Sequence, residues 1–199
     1  MGPIARLCST NPGKLRELRA LLPGWEIELL DATGYPPEDG ATYYDNARAK
    51  ADFGRGHEPS LWVIGEDSGL EVAGLGGRPG IHSARFGGDD PVGRLVEELR
   101  GVDDRRARYV CELVALSPDG EEHRGTGTLE GRIVDEPRGS EGFGYDPIFV
   151  PDGEERTVAE LGNEWKRTHS HRARAAAALA RRVPEAAPRG RFDARPPTS

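Results

Sequence analysis

The sequence is poor in sulfur and in unbroken apolar stretches. Its 199 residues include two cysteines, Cys8 and Cys111, and one methionine, Met1. That leaves no disulfide framework, and with neither a CxxC pair nor a HExxH helix no preassembled zinc site is expected. No run approaches the roughly 20 apolar residues that span a bilayer. Met1 to Ser9 lacks the long apolar core and cleavage pattern of a secretory signal, so a reducing cytoplasm is the expected compartment. Positive charge is scarce too: 27 Lys and Arg stand against 34 Asp and Glu, a net charge of -7. This argues against a general nucleic-acid or anionic-membrane binder. From Glu164 onward nine Lys or Arg face three Asp or Glu, so basic charge gathers at the end of the chain.

What is present fits one compact domain, since 36% hydrophobic content is enough for a core without staples. Ile4 to Cys8 reads as a first strand, followed at once by Ser9-Thr10-Asn11-Pro12-Gly13-Lys14. Asn11 suits a helix N-cap and Pro12 the first helical position, where its missing N–H would be unpaired anyway. Leu15, Leu18, Leu21 and Leu22 mark one face of that helix, which should stop at Pro23-Gly24. A strand feeding a helix N-terminus places free N–H groups and Lys14 where an anion could sit, although an ordinary capped helix with a surface lysine looks the same.

Trp25, Ile27 and Leu29 alternate with polar positions as in a half-buried strand. Thr33 to Ala41 is a loop carrying Glu38 and Asp39, and a helix runs from Thr42 through Lys50 and Phe53. Leu61 to Ile64 reads as a short buried strand delivering Glu66 and Asp67 into a turn at Ser68-Gly69, with Leu70-Glu71-Val72 as a second extended piece. The Gly74 to Gly88 loop is dense in glycine. Val92, Leu95, Val96 and Leu99 have helical spacing. Arg108 to Ser117 and Glu121 to Leu129 form a hairpin across Pro118-Asp119-Gly120, and Gly131 to Val134 extends the sheet.

A second Gly-rich loop, Gly139 to Pro147, holds Phe143, Tyr145 and Asp146 and leads into a strand at Ile148 to Val150. Its aromatic residues could stack on a planar ligand or simply pin the loop. Thr157 and Glu160 have capping-box spacing. A broken helical stretch follows with Trp165 and Lys166, and Ser170 can cap a last, alanine-rich helix from about His171 to Val183. The macrodipole opposes positive charge at a helix N-terminus, so His171 and Arg172 need another reason to be there, such as an acceptor-rich ligand. Residues 184–199 read as a flexible tail rich in proline and arginine.

Carboxylates and lysines distributed in this way suit a magnesium-bound polyphosphate, because Mg²⁺ prefers one or two carboxylates together with phosphate oxygens and waters. An aromatic loop beside Arg and His suits a nucleobase. Residue types and spacing alone reach a Mg²⁺-dependent nucleotide phosphohydrolase.

Five segments go further: STNPGK at Ser9 to Lys14, GATYYDNARAKA at Gly40 to Ala51, EDSGLEVAGLGGRPGIHSARFGG at Glu66 to Gly88, GFGYDPIFVP at Gly142 to Pro151, and TVAELGNEWKRTHSHRA at Thr157 to Ala173. In this order they resemble the inosine triphosphate pyrophosphatases, the HAM1-like family that acts on non-standard purine nucleotides. The resemblance implies an α/β fold with an elongated mixed sheet flanked by helices, two lobes and the active site in the cleft between them, within a single domain over residues 1–183. It implies a homodimer that hydrolyses inosine, deoxyinosine and xanthosine triphosphates to monophosphate and pyrophosphate, cleansing the nucleotide pool.

Carried across by motif, Asp67, Lys14 and Lys50 would be catalytic. Ser9, Asn11 and Lys14 would bind the triphosphate, and Thr10 and Ser68 would touch the substrate; Phe143 would stack on the base with Gly144 and Tyr145 in its loop; Asp146, Lys166, Ser170, His171 and Arg172 would frame the base edges. Asp67 and Glu38 would hold Mg²⁺, with Asp39, Asp45 and Glu66 as alternatives to Glu38. Ser9 stands in place of the family's usual threonine, and Glu66 where an aspartate is common. Two rivals remain open: a hydrolase of another nucleotide class, and a nucleotide-binding regulator without turnover.

Overall fold

A computed structural model describes residues 2–183; the expected tail at 184–199 lies outside the described residues. Six strands form one mixed sheet in the order β2-β1-β3-β4-β5-β6. They are β1 (Ile4–Cys8), β2 (Glu26–Leu29), β3 (Trp62–Val72), β4 (Arg106–Leu116), β5 (Glu122–Ile133) and β6 (Phe149–Pro151). β1 runs parallel to β2 and β3, and β3 to β6 form an antiparallel meander. The helices are α1 (Pro12–Leu21), α2 (Tyr43–His57), α3 (Pro91–Glu98), α4 (Val158–His169) and α5 (His171–Ala180).

Local chemistry places the helix starts where the sequence puts them. Asn11 caps α1, its Oδ1 accepting from the Gly13 and Lys14 N–H groups at 2.8 and 3.3 Å. Thr42 with Asp45, and Thr157 with Glu160, form reciprocal capping boxes on α2 and α4. Ser170 caps α5. The expected break before Trp165 falls at Gly162, whose φ of 84° interrupts α4.

The expected turn after Ile64 is not there. β3 runs without interruption from Trp62 to Val72, paired with β4 from Val63↔Leu116 to Val72↔Ala107. The glycines that suggest a break serve close packing instead. A Cβ on Gly65 would lie 1.8 Å from the Ala47 carbonyl oxygen of α2, so helix and strand touch backbone to backbone there. β5 is likewise one strand rather than two, and α5 presses on it at Gly127, where a Cβ would come within 2.1 Å of the His171 carbonyl oxygen.

Helices cover both faces of the sheet. α1 and α5 bury Leu18, Ala175, Ala176 and Leu179 against Ile27, Ile64, Cys111 and Leu113 on one side. α2 buries Ala47 and Ala51 against Cys8, Val63 and Val114 on the other. A third cluster joins Leu95 of α3 and Leu99, which caps its C-terminus, to Leu70, Val72, Tyr109, Ile148 and Phe149. Both cysteines are buried and free, and burial pushes the Cys8 thiol up to about 12.

Because strand side chains alternate, the continuity of β3 separates its two adjacent acids: Glu66 points toward α1 and α5, Asp67 toward α2. The pairing of β1 ends at Cys8↔Gly65. Among the described residues no strand therefore pairs with the β1-side edge of β3 from Glu66 to Gly69, beyond which Ser83 and Pro79 cover it, and the α1 N-terminus stands at that opening. We predict that Gly65→Ala destabilises the protein by about 3 kcal/mol, the upper range for overpacking, because the clash is with backbone. Urea unfolding measures it, and a loss under about 0.5 kcal/mol, the range of an ordinary surface change, would contradict this close approach.

Candidate active site

On the α1 and α5 side, opposite charges alternate through the interior. Lys14 Nζ lies 2.5 Å from Glu66 Oε2. Glu66 Oε1 accepts from Arg172 Nη2 at 2.8 Å and from its Nε at 3.3 Å. The same guanidinium donates to Ser68 Oγ at 3.0 Å and, through Nη1, to Glu17. Glu17 Oε1 is 2.5 Å from Lys166 Nζ, which reaches Asp146 Oδ2 at 2.7 Å. Glu66 is 0% and Arg172 1% exposed, so neither ion is tolerable without its partners. Burial would raise the Glu66 pKa, but Lys14, Arg172 and Lys50 outweigh it and hold the carboxyl well below its ordinary 4.5. Glu17 is lowered in the same way, Arg172 and Lys166 overcoming its burial.

On the α2 side, Lys50 gathers three acceptors: the Glu38 carboxylate, the Glu66 carbonyl at 3.0 Å and Asp67 Oδ1 at 3.5 Å. Asn46, one helical turn before Lys50, donates to Asp67 Oδ2 at 2.9 Å. Burial raises the Asp67 pKa, and Lys50 and Asn46 only partly offset it. Burial lowers that of Lys50, but Asp67, Glu66 and Glu38 bring a net rise, so the ammonium stays charged. Among the alternatives to Glu38, Asp45 spends its carboxylate on the Thr42 N–H and hydroxyl, and Glu66 faces the other side of the sheet. Glu38 is the acid that meets Lys50 beside Asp67. Its loop is tied across by Arg85 Nη2, which donates to the Glu38 carbonyl at 2.6 Å.

Two carboxylates converging on one cation suit a hard dication as well as an ammonium. Among the described residues no three His, Cys, Asp or Glu side chains converge in this way. A cation here would draw on Glu38 and Asp67 and fill its remaining positions with phosphate and water oxygens, as Mg²⁺ prefers.

The Gly139 to Pro147 loop closes the far end. Asp146 Oδ2 accepts from the Phe143 N–H at 2.9 Å, and the Phe143 ring lies 4.7 Å from Lys166 Nζ and 5.6 Å from the Arg172 guanidinium. Gly13, Glu17, Phe143, Lys166 and Ser170 line a cleft of about 270 Å³ between α1 and α4. Tyr145 turns away from it, its hydroxyl donating to the Ser83 carbonyl at 3.2 Å, so this aromatic pins the loop. Gly144 supplies a left-handed φ of 63° between the two rings. Ser170 Oγ accepts from the Ala173 N–H at 3.1 Å.

His171 is buried with Nδ1 unpartnered. Burial and the neighbouring Arg172 push its pKa well below 6.5, so it is neutral. The positive charge that the α5 N-terminus should oppose is Arg172 alone, compensated by Glu66 and Glu17. Ser9 and Thr10 stand at the head of α1, where Ser9 Oγ accepts from the Asn11 N–H at 3.1 Å.

Three members of this arrangement are missing from the sequence reading. Glu17 lies one turn after Lys14 and Asn46 one turn before Lys50, so helical spacing from each lysine points to both. Tyr109, which donates to Asp146, comes from a different strand and has no local signal.

The Ham1 family model matches residues 5–182. The chain belongs to the Ham1 family. It is 45% identical over 179 residues to the dITP/XTP pyrophosphatase of Deinococcus radiodurans, covering 87% of this chain and 89% of that protein. It is 43% identical to that of Thermus thermophilus over 183 residues, 87% of this chain and 88% of the other. Among solved structures, the Staphylococcus aureus Ham1 protein superposes with a TM-score of 0.76 at 35% identity, covering 86% of this chain and 93% of its own. The Mycobacterium abscessus nucleoside-triphosphatase / dITP/XTP pyrophosphatase gives 0.69 at 41% identity, covering 88% and 97%. The six-stranded mixed sheet with flanking helices is thus the Ham1 architecture, as the motifs lead one to expect.

Glu66→Gln tests the buried network. Breaking a buried pair from one side is expected to lose about 3 to 5 kcal/mol at pH 7. The folded pKa of Glu66 is depressed, so its contribution is complete above the unfolded value near 4.5 and fades as pH falls from there toward the folded value. Urea titrations of both proteins from pH 7 down through 4 should show the gap narrowing; a constant gap would contradict the ion pairs.

Proposed function

We propose that this protein hydrolyses purine nucleoside triphosphates of the inosine, deoxyinosine and xanthosine type between the α and β phosphates, with Mg²⁺, releasing monophosphate and pyrophosphate. The observation that carries the reading is the flanking of the open edge of β3 by Lys14 on one face and Lys50 with Asp67 on the other. The charge network leads from that edge to the Phe143 cleft. A triphosphate along the edge with its base at Phe143 would meet cations at one end and an aromatic face at the other. The names of the relatives support the same chemistry.

In this reading Asp67, its basicity increased by burial, orients a water molecule and takes its proton as the oxygen attacks the α phosphorus. The bond to the bridging oxygen breaks and pyrophosphate leaves. Glu38 and Asp67 would hold Mg²⁺, which when bound neutralises charge developing on the phosphates. Lys14 and Lys50 bind and stabilise the departing pyrophosphate, and Ser9, Thr10, Asn11 and Ser68 position the phosphate chain. Such catalysis is chiefly placement and charge stabilisation. The tie between Lys14 and Glu66 means that the phosphates enter by sharing an ammonium already in place.

Selectivity follows from hydrogen-bond sense. Hypoxanthine and xanthine present an acceptor oxygen at position 6, where adenine presents an amino donor. Donors around His171 and Arg172, with Lys166 and Ser170, accommodate the oxygen, and a donor left facing a donor loses about 1 to 3 kcal/mol. The reading extends to a cytoplasmic homodimer on the family resemblance.

Incubation with Mg²⁺ and inosine, xanthosine, guanosine or adenosine triphosphate, with pyrophosphate and orthophosphate assayed separately, tests this. Pyrophosphate from the inosine and xanthosine substrates is expected. Orthophosphate would mean the wrong bond, and binding without product would mean a regulator. Asp67→Asn is expected to lower kcat by about 100-fold or more, as loss of a general base does, while nucleotide affinity stays within about threefold. A near-normal rate would overturn the role of Asp67.

A further inference from the structure

Tyr109 is buried near the start of β4, on the α5 face of the sheet, and touches both the loop that carries Phe143 and the head of α5. Its hydroxyl donates to Asp146 Oδ1 at 3.2 Å. Its ring stacks on His171 with centroids 4.6 Å apart and planes 9° apart, while Phe149 packs against it at 4.6 Å and 43°. Asp146 Oδ2 is occupied by Lys166 and the Phe143 N–H. Tyr109 is the one side chain among the described residues that donates to Oδ1. One residue of the rigid sheet thus fixes the carboxylate that holds the Phe143 turn and the plane of the imidazole at the head of α5.

The chemistry of the side chain separates packing from positioning. A phenylalanine would fill the same space and keep the aromatic contacts, but it would give Asp146 Oδ1 no donor and leave the ring without a hydrogen bond to orient it. Packing alone therefore does not call for the hydroxyl. A buried phenol given to a carboxylate is a charge-assisted bond, stronger than a neutral one and demanding in geometry. A binding site needs its supporting shell to hold the contacting groups to within a fraction of an ångström.

We propose that Tyr109 is a specificity-positioning residue of the base cleft: through its hydroxyl bond to Asp146 and its stack on His171 it sets the geometry by which a 6-keto purine is told from a 6-amino purine. This rests on the purine pyrophosphatase reading. Among the described residues Tyr109 makes its one side-chain hydrogen bond to Asp146 and none to Lys14, Lys50 or Asp67, so its contribution is to base binding and leaves the phosphate chemistry alone.

Tyr109→Phe tests this, with kcat and KM measured for inosine and adenosine triphosphates alongside thermal unfolding. KM for inosine triphosphate is expected to rise about tenfold, the size of one charge-assisted hydrogen bond, with kcat within about twofold and the preference over adenosine triphosphate falling in step. In an Asp146→Asn background the same substitution should add little, because the hydroxyl acts through Asp146. An unchanged KM, an equal change for both nucleotides, or full additivity with Asp146→Asn would overturn the proposal. Should the wild type release no pyrophosphate, the pyrophosphatase reading fails on its own. Calorimetric binding of inosine monophosphate then decides Tyr109: about tenfold weaker affinity in the variant supports it, and equal affinity, or none in either protein, overturns it.

Discussion

The structure depends on the neutralisation of one buried guanidinium. Arg172 enters at the first turn of α5, where the helix dipole disfavours it, and is sealed from water between Glu66 and Glu17. Removal of either acid, or of Arg172, leaves the interior one charge out of balance. The three residues belong to α5, β3 and α1, and Glu17 carries the linkage to Lys166 of α4 and so to Asp146. With Lys14 of α1 paired to Glu66, five parts of the fold are fixed relative to one another by a set of charges that sums to zero. An apolar core of similar volume could hold them as firmly, but it would offer a polyphosphate nothing. The ionic version gives the folded protein donors already in place, and preorganised charge is what phosphoryl chemistry most requires.

The second constraint is the two-residue period of β3. Glu66 and Asp67 are neighbours in sequence, yet the pleat sends them to opposite faces, and their pKa values move in opposite directions as a result. Glu66, surrounded by three cations, is a fixed anion that holds Lys14 and Arg172. Asp67, with one ammonium and one amide for partners and two further acids nearby, is the more basic of the two. The sheet thereby separates a fully paired acid from a more basic one with no change of residue type beyond a methylene. The opening beside them exists because β1 stops at Cys8 while β3 continues for seven more residues.

Much of this was legible in the sequence. The caps at Asn11, Thr157 and Ser170 are local chemistry, each needing only residues within one turn, and all three form. The helical faces and the hairpin between β4 and β5 follow from periodicity. The failures came where a residue's role is set by a distant partner. Gly65 and Gly69 look like breakers in a single chain, and only the approach of α2 and of the Gly80 carbonyl explains them as positions where a side chain does not fit. Glu66 next to Asp67 looks like a carboxylate pair until strand continuity separates them. Tyr109 gives no sign of its bond to Asp146, 37 residues away. The motif residues themselves converge as two groups, one on each face of β3, which spacing alone could not foresee.

The central claim is that water attacks the α phosphorus beside Asp67 while pyrophosphate departs between Lys14 and Lys50. The most direct measurement is turnover of inosine triphosphate in H₂¹⁸O, with the products weighed by mass spectrometry. The account predicts one ¹⁸O atom in the inosine monophosphate and none in the pyrophosphate. Label in the pyrophosphate would place the attack on the β phosphorus, and label in orthophosphate would place it on the γ; either result would contradict the arrangement described.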